Sequence, residues 1–528
     1  MTQLRKGFGK HGTVRGSDYV SVSPTFEGRF GRMFRHLKPA NHLEEDLVKL
    51  ARLDEGKGGM TAPSDNPEPE TKDPGDDEEN SGISAGYTYL GQFIDHDLTF
   101  DPSSMAQQKS DPDAIVDFRT PKFDLDNMYG RGPDDQPYLY DFQDDGTIKM
   151  LLGKKLTGNA NDPDTRDLPR TSAENGRKFA LIGDKRNDEN VIVSQLQGMF
   201  LRFHNRMVNY HKTNGLKTDF DSIRQAVQFH YQWVVLNDFL PTIIGKDMLH
   251  IICPHLVKKT SILVDDPKLH FYIYRNEPFM PVEFSVAAYR FGHSMVRPLY
   301  RLNAGTGANA LKDQDPRLPV FPNLLAFGEF DNTFAIDWRL FFDFGNKPNP
   351  FSAERVQPAY KIDTSLVNPL SKLPPPITGE TPPSLAELNL KRGLKLKLPS
   401  GQSVAHAMGE IPIPDDKLKV GKANEGGMGV KGSNPLLTSI SPNFAHNAPL
   451  WYYILAEAQL QFKDNATAIR LGPVGGRIVG EVIVGLLYGD STSVLSHPNW
   501  TPYKDFLNKK GEFGIVELIS QAMLSEKK

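Results

Sequence analysis

Apolar residues recur every three or four positions in several stretches, as on one face of an amphipathic helix. This spacing is clearest over residues 194–210 and also predicts helices over 221–240, ended by Pro241, and over 284–295. Three further helices are predicted over residues 385–392, 447–462 and 474–489. Internal repeats and long alternating patterns are absent from the sequence. The prediction is therefore a mainly α protein, with one large helical domain, long ordered loops and little β structure.

Two polar stretches near the N-terminus depart from this pattern. Residues 1–45 are basic and glycine-rich, which predicts an extended arm packed on the body through Phe26, Phe30, Met33 and Phe34. Residues 55–82 combine prolines with the acidic run at 76–79, which predicts a mobile surface loop. We therefore assign residues 1–84 to the arm and loop, and 85–528 to the functional domain.

Composition narrows the class of protein. The 528 residues are 38% apolar and 24% charged, which is typical of a globular protein with a large core. A net charge of −4 makes nucleic acid an unexpected partner, and no apolar run is long enough to predict a membrane span. Cys253 is the single cysteine, so an intrachain disulfide is excluded. The first residues lack an apolar signal core, which favours the cytoplasm and leaves export by another route open.

Residues 91–98 place a histidine between two carboxylates in apolar surroundings. On a helix, Gln92 and His96 lie one turn apart on the same face, whereas Asp95 and Asp97 point about 100° to either side. The histidine and the two acids can then reach three different partners. A neutral histidine near an amide is suited to moving a proton to and from a small ligand. Taken alone, the stretch also fits a buried core histidine flanked by exposed acids.

A second chemical pattern lies at residues 120–130. Thr120, Lys122, Asp124 and Asp126 alternate, which brings oxygen atoms to one side of an extended backbone. Such hard oxygen ligands suit calcium, which takes about six to eight of them. A short acidic loop is also common as solvated surface, so this loop alone leaves both interpretations open.

Five motifs follow one another along the chain. They are Gly91-Gln92-x-x-Asp95-His96-Asp97, Thr120-x-Lys122-x-Asp124-x-Asp126-x-x-Tyr129-Gly130, Gly183-Asp184-x-Arg186 with His204-Asn205-Arg206, Arg290-Phe291-Gly292-His293, and Leu388-Asn389-x-x-Arg392. Their order and separations resemble those of the animal-type haem peroxidases, the peroxidase–cyclooxygenase superfamily. The resemblance extends over roughly residues 85–490 and implies a bacterial-type member with the helical haem-peroxidase fold.

This resemblance implies a haem b cofactor with one histidine on each side. His293 would be the proximal ligand of the haem iron, and Asn389 would accept its other ring N–H. His96 would move the proton of hydrogen peroxide, and Arg186 would stabilise charge as the O–O bond breaks. Gln92 would hold water or a halide beside His96.

Further residues take roles at the edge of the haem. Arg290 and Arg392 are expected to pair with the propionates or to flank the proximal side. Asp95 and Glu189 match the carboxylates that form ester links to haem in mammalian members. Asn190 replaces a methionine that makes a third link in one of them, so that link should be absent here.

The resemblance also implies a calcium ion next to His96. Its ligands would be Asp97, Thr120, Lys122 through its carbonyl, Asp124 and Asp126. The ion would fix the helix that bears His96. His204 is interpreted as a hydrogen-bonded core histidine without a catalytic role.

The leading hypothesis is a haem peroxidase that reduces hydrogen peroxide and oxidises small donors such as phenols, iodide, bromide or thiocyanate. The first alternative is a haem-dependent fatty-acid dioxygenase, which uses a tyrosyl radical three residues before the proximal histidine. Here that position is Arg290, and Tyr289 is expected to point away. The second alternative is a non-catalytic adhesion protein with a peroxidase-like body, against which the intact histidine pair and Arg186 argue.

Overall fold

The computed structural model describes residues 28–52, 59–61, 78–99, 116–117, 120–172, 176, 178–274, 277–304, 317–345, 355–374, 384–423 and 434–524. Helices dominate these residues, as predicted. The α-helices are Glu44–Ala51, Gly86–Leu98, Asp126–Tyr129, Val191–Thr213, Phe220–Val234, Leu240–Ile252, Pro254–Lys258, Leu385–Lys395, Gly401–Ala407, Leu437–Ile440, Leu450–Gln459, Pro473–Tyr488 and Ile515–Ala522. None among the described residues is long and apolar enough to cross a membrane.

The strands among the described residues are short and form one three-stranded and three two-stranded sheets. They are Gly28–Gly31, Glu79–Ser84, Val116–Asp117, Tyr140–Phe142, Ile148–Met150, Met280–Pro281, Leu299–Tyr300, Leu318–Pro319 and Pro358–Tyr360. Gly28–Gly31 pairs antiparallel with Val116–Asp117 and parallel with Met280–Pro281, while the other strands form antiparallel pairs. Little β structure was expected, and this prediction is confirmed.

The core lies between the longest helices. Val191–Thr213, hereafter the long helix, packs against Gly86–Leu98, the His96 helix, and against Phe220–Val234 and Ile515–Ala522. The long helix is buried along most of its length, and polar side chains on it, such as Gln195 and Arg202, are hydrogen-bonded inside the protein. His204 on this helix is fully buried, with Tyr129 Oη 3.0 Å from Nδ1 and the Ile148 carbonyl 3.1 Å from Nε2. Its interpretation as a hydrogen-bonded core histidine is confirmed.

Pro241 does not end a helix, so this prediction is wrong. Helix Phe220–Val234 runs into the π-helical turn Val235–Phe239 and continues as Leu240–Ile252. Pro241 lies just after the π-helical turn, where the regular hydrogen-bond pattern of the α-helix is already interrupted, so its missing N–H costs less there.

The helix predicted over 284–295 is also irregular. A π-helical turn, Glu283–Ala287, is followed by the 3-10 helix Ala288–His293. Hydrophobic spacing detects helical winding but does not distinguish among these geometries. We call residues 283–293 the His293 segment.

The N-terminal predictions are met in part. Phe30, Met33 and Phe34 pack on the core as anchors of the arm, whereas Phe26 lies outside the described residues. Glu78 and Glu79, assigned to the surface loop, are instead buried. Glu79 begins a strand that pairs with Pro358–Tyr360, and its carboxylate binds the guanidinium groups of Arg297 and Arg355. The charge of Glu79 is thus neutralised inside the body. Most of the remaining predicted loop lies outside the described residues.

Candidate active site

A cavity of about 440 Å³ lies between the His96 helix, the His293 segment and helix Leu385–Lys395, which we call the Asn389 helix. Nine predicted site residues line it, although they are distant in sequence. They are Gln92, Asp95, His96, Arg186, Glu189, Arg290, His293, Asn389 and Arg392. Much of the remaining wall is apolar, and this mixture of apolar walls with a few polar groups is typical of a cofactor or ligand site.

His96 is buried, and its ring is fixed from behind. Nδ1 lies 2.7 Å from Asn187 Oδ1, and Asn187 Nδ2 donates to Gln197 Oε1 at 2.9 Å. Burial and the positive charge of Arg186 lower the pKa of His96 to about 4. The ring is therefore neutral near neutral pH. An N–H at Nδ1, donated to Asn187, leaves Nε2 with a lone pair.

Gln92 lies one helical turn before His96 and contacts a residue that begins the long helix. Its Oε1 accepts a hydrogen bond of 3.1 Å from Asn190 Nδ2. Asn190 Oδ1 accepts the backbone N–H groups of Ile192 and Val193, so Asn190 is the N-cap of the long helix.

Arg186 lies in the 3-10 turn Lys185–Asp188 and reaches the end of the His96 helix. Its guanidinium pairs with Asp184, with Nη2 2.8 Å from Oδ2, and Nη2 also donates to the carbonyls of His96 and Thr99. These contacts hold a positive charge at the carboxyl end of the helix, where it is favoured by the helix dipole.

Two acidic residues line the cavity, and their pKa values are shifted in opposite directions. Burial opposes ionisation of Asp95, but Arg290 and Arg186 hold the pKa of Asp95 below its usual value. Arg290 Nη1 lies 3.3 Å from Asp95 Oδ2, so this arginine pairs with a protein carboxylate in the structure. Burial raises the pKa of Glu189 to about 7, although Arg186 opposes the shift.

His293 lines the cavity from the end of the His293 segment. Burial and the nearby Arg290 lower the pKa of His293 to about 3, so its imidazole is neutral. The Asn389 amide lies beside the ring, with Nδ2 2.8 Å from Nδ1. The predicted role of Asn389 as acceptor requires its oxygen at this position, which a half-turn of the amide supplies with little change in shape.

Tyr289 belongs to the cavity lining, but its hydroxyl is buried against protein, so the expectation that it points away from the reacting centre stays a prediction. The expectation assumed α-helical rotation, whereas the chain makes a π-helical turn and then a 3-10 helix before His293. In a 3-10 helix, residues three apart eclipse one another, which places Arg290 and His293 on one side. The Tyr289 hydroxyl is buried and has no hydrogen-bond partner among the described residues.

Three carboxylates meet behind the His96 helix. One oxygen from each of Asp97, Asp124 and Asp126 lies within 4.8 Å of the others. Burial and the other two carboxylates raise the pKa of Asp97 well above its usual value; the Leu125 N–H and the Tyr231 hydroxyl lie near its oxygens, but neither makes a hydrogen bond of normal geometry to them. A bound cation would compensate the repulsion between these buried charges and satisfy the Asp97 oxygens, so the group fits a divalent ion.

The other predicted ligands of that ion make different contacts through their side chains. The Thr120 hydroxyl donates to Asp124 Oδ2 at 2.7 Å, and the Lys122 ammonium pairs with Asp490 at 3.3 Å. Lys122 was predicted to act through its carbonyl, and its side-chain contact leaves that prediction open.

The acidic loop and the Arg186 turn are held in close contact. Asp184 N–H donates to the Asn127 carbonyl at 2.9 Å. A Cβ atom at Gly183 would lie 2.3 Å from the Asp126 carbonyl oxygen, so a side chain there would separate the two segments. The glycine of the Gly-Asp-x-Arg motif is therefore required by packing.

Sequence reasoning missed the positioning contacts of Asn187 and Gln197, and it gave Asn190 no contact with Gln92. In the sequence, Asn187 is visible only as an amide next to Arg186, and an amide does not indicate which residue it contacts. Asp95, His96 and Asp97 do address three different partners, as expected from their helical spacing.

Two neutral histidines, an arginine and buried carboxyl groups surround one cavity in a helical body, an arrangement that could hold a cofactor. Residues 100–332 match the sequence model of the family "Animal haem peroxidase". Over these residues, which are less than half of its length, the chain is similar to the animal haem peroxidases. The match includes Arg186 and His293, but it starts after His96 and ends before Asn389.

The chain is also similar in sequence to a known peroxidase and in fold to two solved structures. The chain is 26% identical over 295 residues to a chorion peroxidase of Drosophila melanogaster, covering 54% of this chain and 33% of that protein. It thus spans about a third of that relative's length. Peroxidase A from Dictyostelium discoideum superposes with a TM-score of 0.54 at 15% identity, over 95% of this chain and 94% of that one. A fatty acid alpha-dioxygenase variant of Oryza sativa, solved with palmitic acid, gives 0.58 at 14%, over 95% and 80%. At these identities the solved structures show a shared fold only.

Proposed function

We propose that the protein is a haem peroxidase that reduces hydrogen peroxide and oxidises small donors, such as phenols, iodide, bromide or thiocyanate. The observation that carries the proposal is the convergence of His96, Arg186 and His293 on one cavity. The match of residues 100–332 to the animal haem peroxidase model supports peroxidase-type chemistry, whereas the donors and residue roles are inferred from the site.

The cavity suits haem b. His293 Nε2 makes no hydrogen bond to the described residues, and the neutral ring can donate that lone pair to iron. Arg290 and Arg392 line the cavity and provide positive charge for the propionates. Asp95 and Glu189 are available for ester links. Because the Asp95 carboxylate is paired with Arg290, an ester at Asp95 requires that pair to separate.

Haem, when bound, supplies an iron centre that takes up peroxide and passes oxidising equivalents to donors. Within that frame His96 accepts a proton from hydrogen peroxide at Nε2 and returns it to the departing oxygen. Asn187 keeps the other ring nitrogen protonated, so the imidazole cannot turn its N–H to the cavity. Arg186 stabilises negative charge that develops as the O–O bond breaks.

Calcium is proposed for the group formed by Asp97, Asp124 and Asp126, with further oxygens from Thr120 and Lys122. Asp97 directly follows His96, so an ion held there would restrain the helix end that carries the catalytic ring. Its role would be structural.

An absorption spectrum of the purified full-length protein, before and after hydrogen peroxide, tests the proposal. We expect a haem spectrum that changes on mixing, with oxidation of iodide or a phenol. In His96→Ala and Arg186→Ala the haem should remain, while the reaction with peroxide slows by on the order of 10²–10⁴ in each. Protein that binds haem and reacts at the same rate in both variants would exclude the assigned roles.

Fatty-acid dioxygenation is the second candidate. It is favoured by Tyr289, which belongs to the cavity lining and whose buried hydroxyl has no partner among the described residues, and by the fold shared with the alpha-dioxygenases. Arg290 in the position expected for the radical tyrosine opposes it.

A further inference from the structure

The side-chain amide of Asn190 has only one orientation that satisfies its neighbours. Oδ1 accepts two backbone N–H groups, from Ile192 at 3.1 Å and Val193 at 2.9 Å. A flipped amide would direct its NH₂ group at these two donors, leaving both unsatisfied at a buried helix start. The group that faces Gln92 is therefore Nδ2, a donor.

This orientation fixes Gln92 in turn. Because Asn190 Nδ2 can only donate, Gln92 must present Oε1 to it, at 3.1 Å. Gln92 Nε2 then has no hydrogen-bond partner among the described residues, and Gln92 lines the cavity one helical turn from His96. Asn190, the N-cap of the long helix, thus determines that Nε2 of Gln92, and not Oε1, is left for a ligand in the cavity.

We infer that Asn190 is a positioning residue that locks Gln92 as a hydrogen-bond donor, so that the cavity accepts small anions beside His96. The inference rests on the proposed function and narrows its donors to iodide, bromide and thiocyanate ahead of neutral phenols. An anion is the matching ligand because it only accepts hydrogen bonds, and Arg186 in the same cavity adds positive charge.

Asn190→Asp is the discriminating substitution. A carboxylate is as good an N-cap as the amide and has nearly the same shape, so the long helix should keep its start. It cannot donate to Gln92, which should turn its Nε2 towards the new carboxylate and its Oε1 towards the cavity. The cavity then loses a donor and gains an acceptor, which repels anions.

The measurement is the dissociation constant of thiocyanate and of iodide, titrated by the absorption spectrum of the haem-loaded, full-length protein. We expect Asn190→Asp to weaken both by about tenfold or more, in line with the loss of a hydrogen bond to a charged group. Asn190→Ser keeps a capping oxygen, adds no charge and should weaken them several-fold. In turnover, KM for iodide should rise with little change in kcat.

The added negative charge could weaken anion binding by itself, and a double-mutant cycle separates this effect. In Gln92→Leu, which has no amide to orient, Asn190→Asp should weaken thiocyanate binding clearly less than in the parent. If Asn190→Asp weakens thiocyanate binding equally in the parent and in Gln92→Leu, the inference is wrong. It is also wrong if neither Asn190→Asp nor Asn190→Ser weakens thiocyanate binding. Either result leaves the peroxidase proposal intact. Protein that takes up no haem would instead contradict the proposed function.

Discussion

At the scale of single residues, the site depends on amides that orient its rings and acceptors. Both cavity histidines are neutral because burial disfavours their charged forms, and each has an asparagine 2.7–2.8 Å from Nδ1. A neutral ring can carry its proton on either nitrogen, so an asparagine that accepts at Nδ1 determines that Nε2 keeps the lone pair. Amide contacts therefore control the chemistry as much as the histidines themselves.

Asn187→Leu should slow the reaction with peroxide because it removes the acceptor that keeps the N–H on Nδ1 of His96. We expect a loss of about 10²-fold, at the lower end of what general acid–base help contributes. Asn187→Asp retains an acceptor of the same shape and should recover much of the rate. Stopped-flow mixing with hydrogen peroxide measures both. A leucine variant that reacts as fast as the parent would show that the Asn187 contact has no role.

His293→Ala should yield folded protein with little stable haem, since the only proposed iron ligand is lost. Haem content per chain, measured by absorption after purification, is the test. His446→Ala is a matched control, because that side chain is 88% exposed and lies outside the cavity lining. Full haem content with an unchanged spectrum in His293→Ala would remove His293 from the site.

Motifs in the sequence identified the residues with distinctive chemistry, and the structure brings nine of them to one cavity. They did not identify Asn187 as the partner of His96 or Asn190 as the partner of Gln92. These contacts join residues about 90 or more positions apart, and an amide suits many environments. Only the fold specifies which amide reaches which ring.

At the scale of elements, regular helices were predictable and irregular ones were not. The pattern over residues 194–210 predicted the core of helix Val191–Thr213, and that over 474–489 predicted Pro473–Tyr488, because each buries a wide apolar surface. Hydrophobic spacing could not reveal the π-helical turn at Glu283–Ala287, since the rotation per residue differs while the same faces are apolar. That turn determines where Tyr289 points.

Removal of the proposed cation should loosen the acidic loop and the His96 helix together. Asp97, Asp124 and Asp126 would then repel one another in a buried site. Prolonged chelation should lower the melting temperature and perturb the haem spectrum in parallel, and calcium should restore both. Asp124→Asn should weaken the response to calcium, whereas Asp141→Asn, at an exposed site, should leave it unchanged. Active protein that contains no metal by elemental analysis would refute the site.

Glu457 links helix Leu450–Gln459 to the start of Pro473–Tyr488 and should make stability depend on pH. Its carboxylate accepts the N–H groups of Val474 and Gly475, but burial is the larger effect and raises the pKa of Glu457 from 4.5 to about 7. The folded protein therefore keeps a proton that the unfolded chain releases, and this contribution to stability is lost as pH rises from 4.5 towards 7.

Glu457→Gln does not titrate, so its melting temperature relative to the parent should rise between about pH 4.5 and 7. The corresponding change in relative free energy of unfolding is on the order of 3 kcal/mol. Thermal unfolding below and above this window measures the difference, with Glu45→Gln, at an exposed site, as the control for the substitution itself. A constant difference across the window would mean that Glu457 is ionised when folded.

At the scale of the whole molecule, distant segments close the cavity from several sides. The N-terminal strand contributes Phe30, and the arm is fixed by Glu283, whose carboxylate accepts the N–H groups of Met33 and Phe34. Arg32 donates to the carbonyls of Leu396 and Lys397 at the end of the Asn389 helix. The predicted arm thus contacts both the His293 segment and the Asn389 helix. The composition of a polar N-terminal stretch does not predict which elements it connects.

A peroxidase and a fatty acid alpha-dioxygenase share this fold, so the fold alone does not determine which reaction is catalysed. The cavity as a whole must determine it. We expect peroxidase activity only. Arg290 stands three residues before His293, where the resemblance places the radical tyrosine of the dioxygenases, and arginine cannot form such a radical. The Tyr289 ring is also enclosed, stacked on Phe284 at 4.7 Å and edge-on to Phe291 at 5.7 Å.

Incubation of the haem-loaded protein with oleic or linoleic acid, while dissolved oxygen is followed, decides between the two activities. We expect no oxygen uptake above that of free haem, and we expect Tyr289→Phe to oxidise iodide with peroxide at the parent rate, because an enclosed hydroxyl takes no part in proton transfer at His96. Rapid uptake that Tyr289→Phe abolishes would establish the dioxygenase. It would also mean that the π-helical turn at Glu283–Ala287 brings Tyr289 into the position that Arg290 holds in the alignment of the motif.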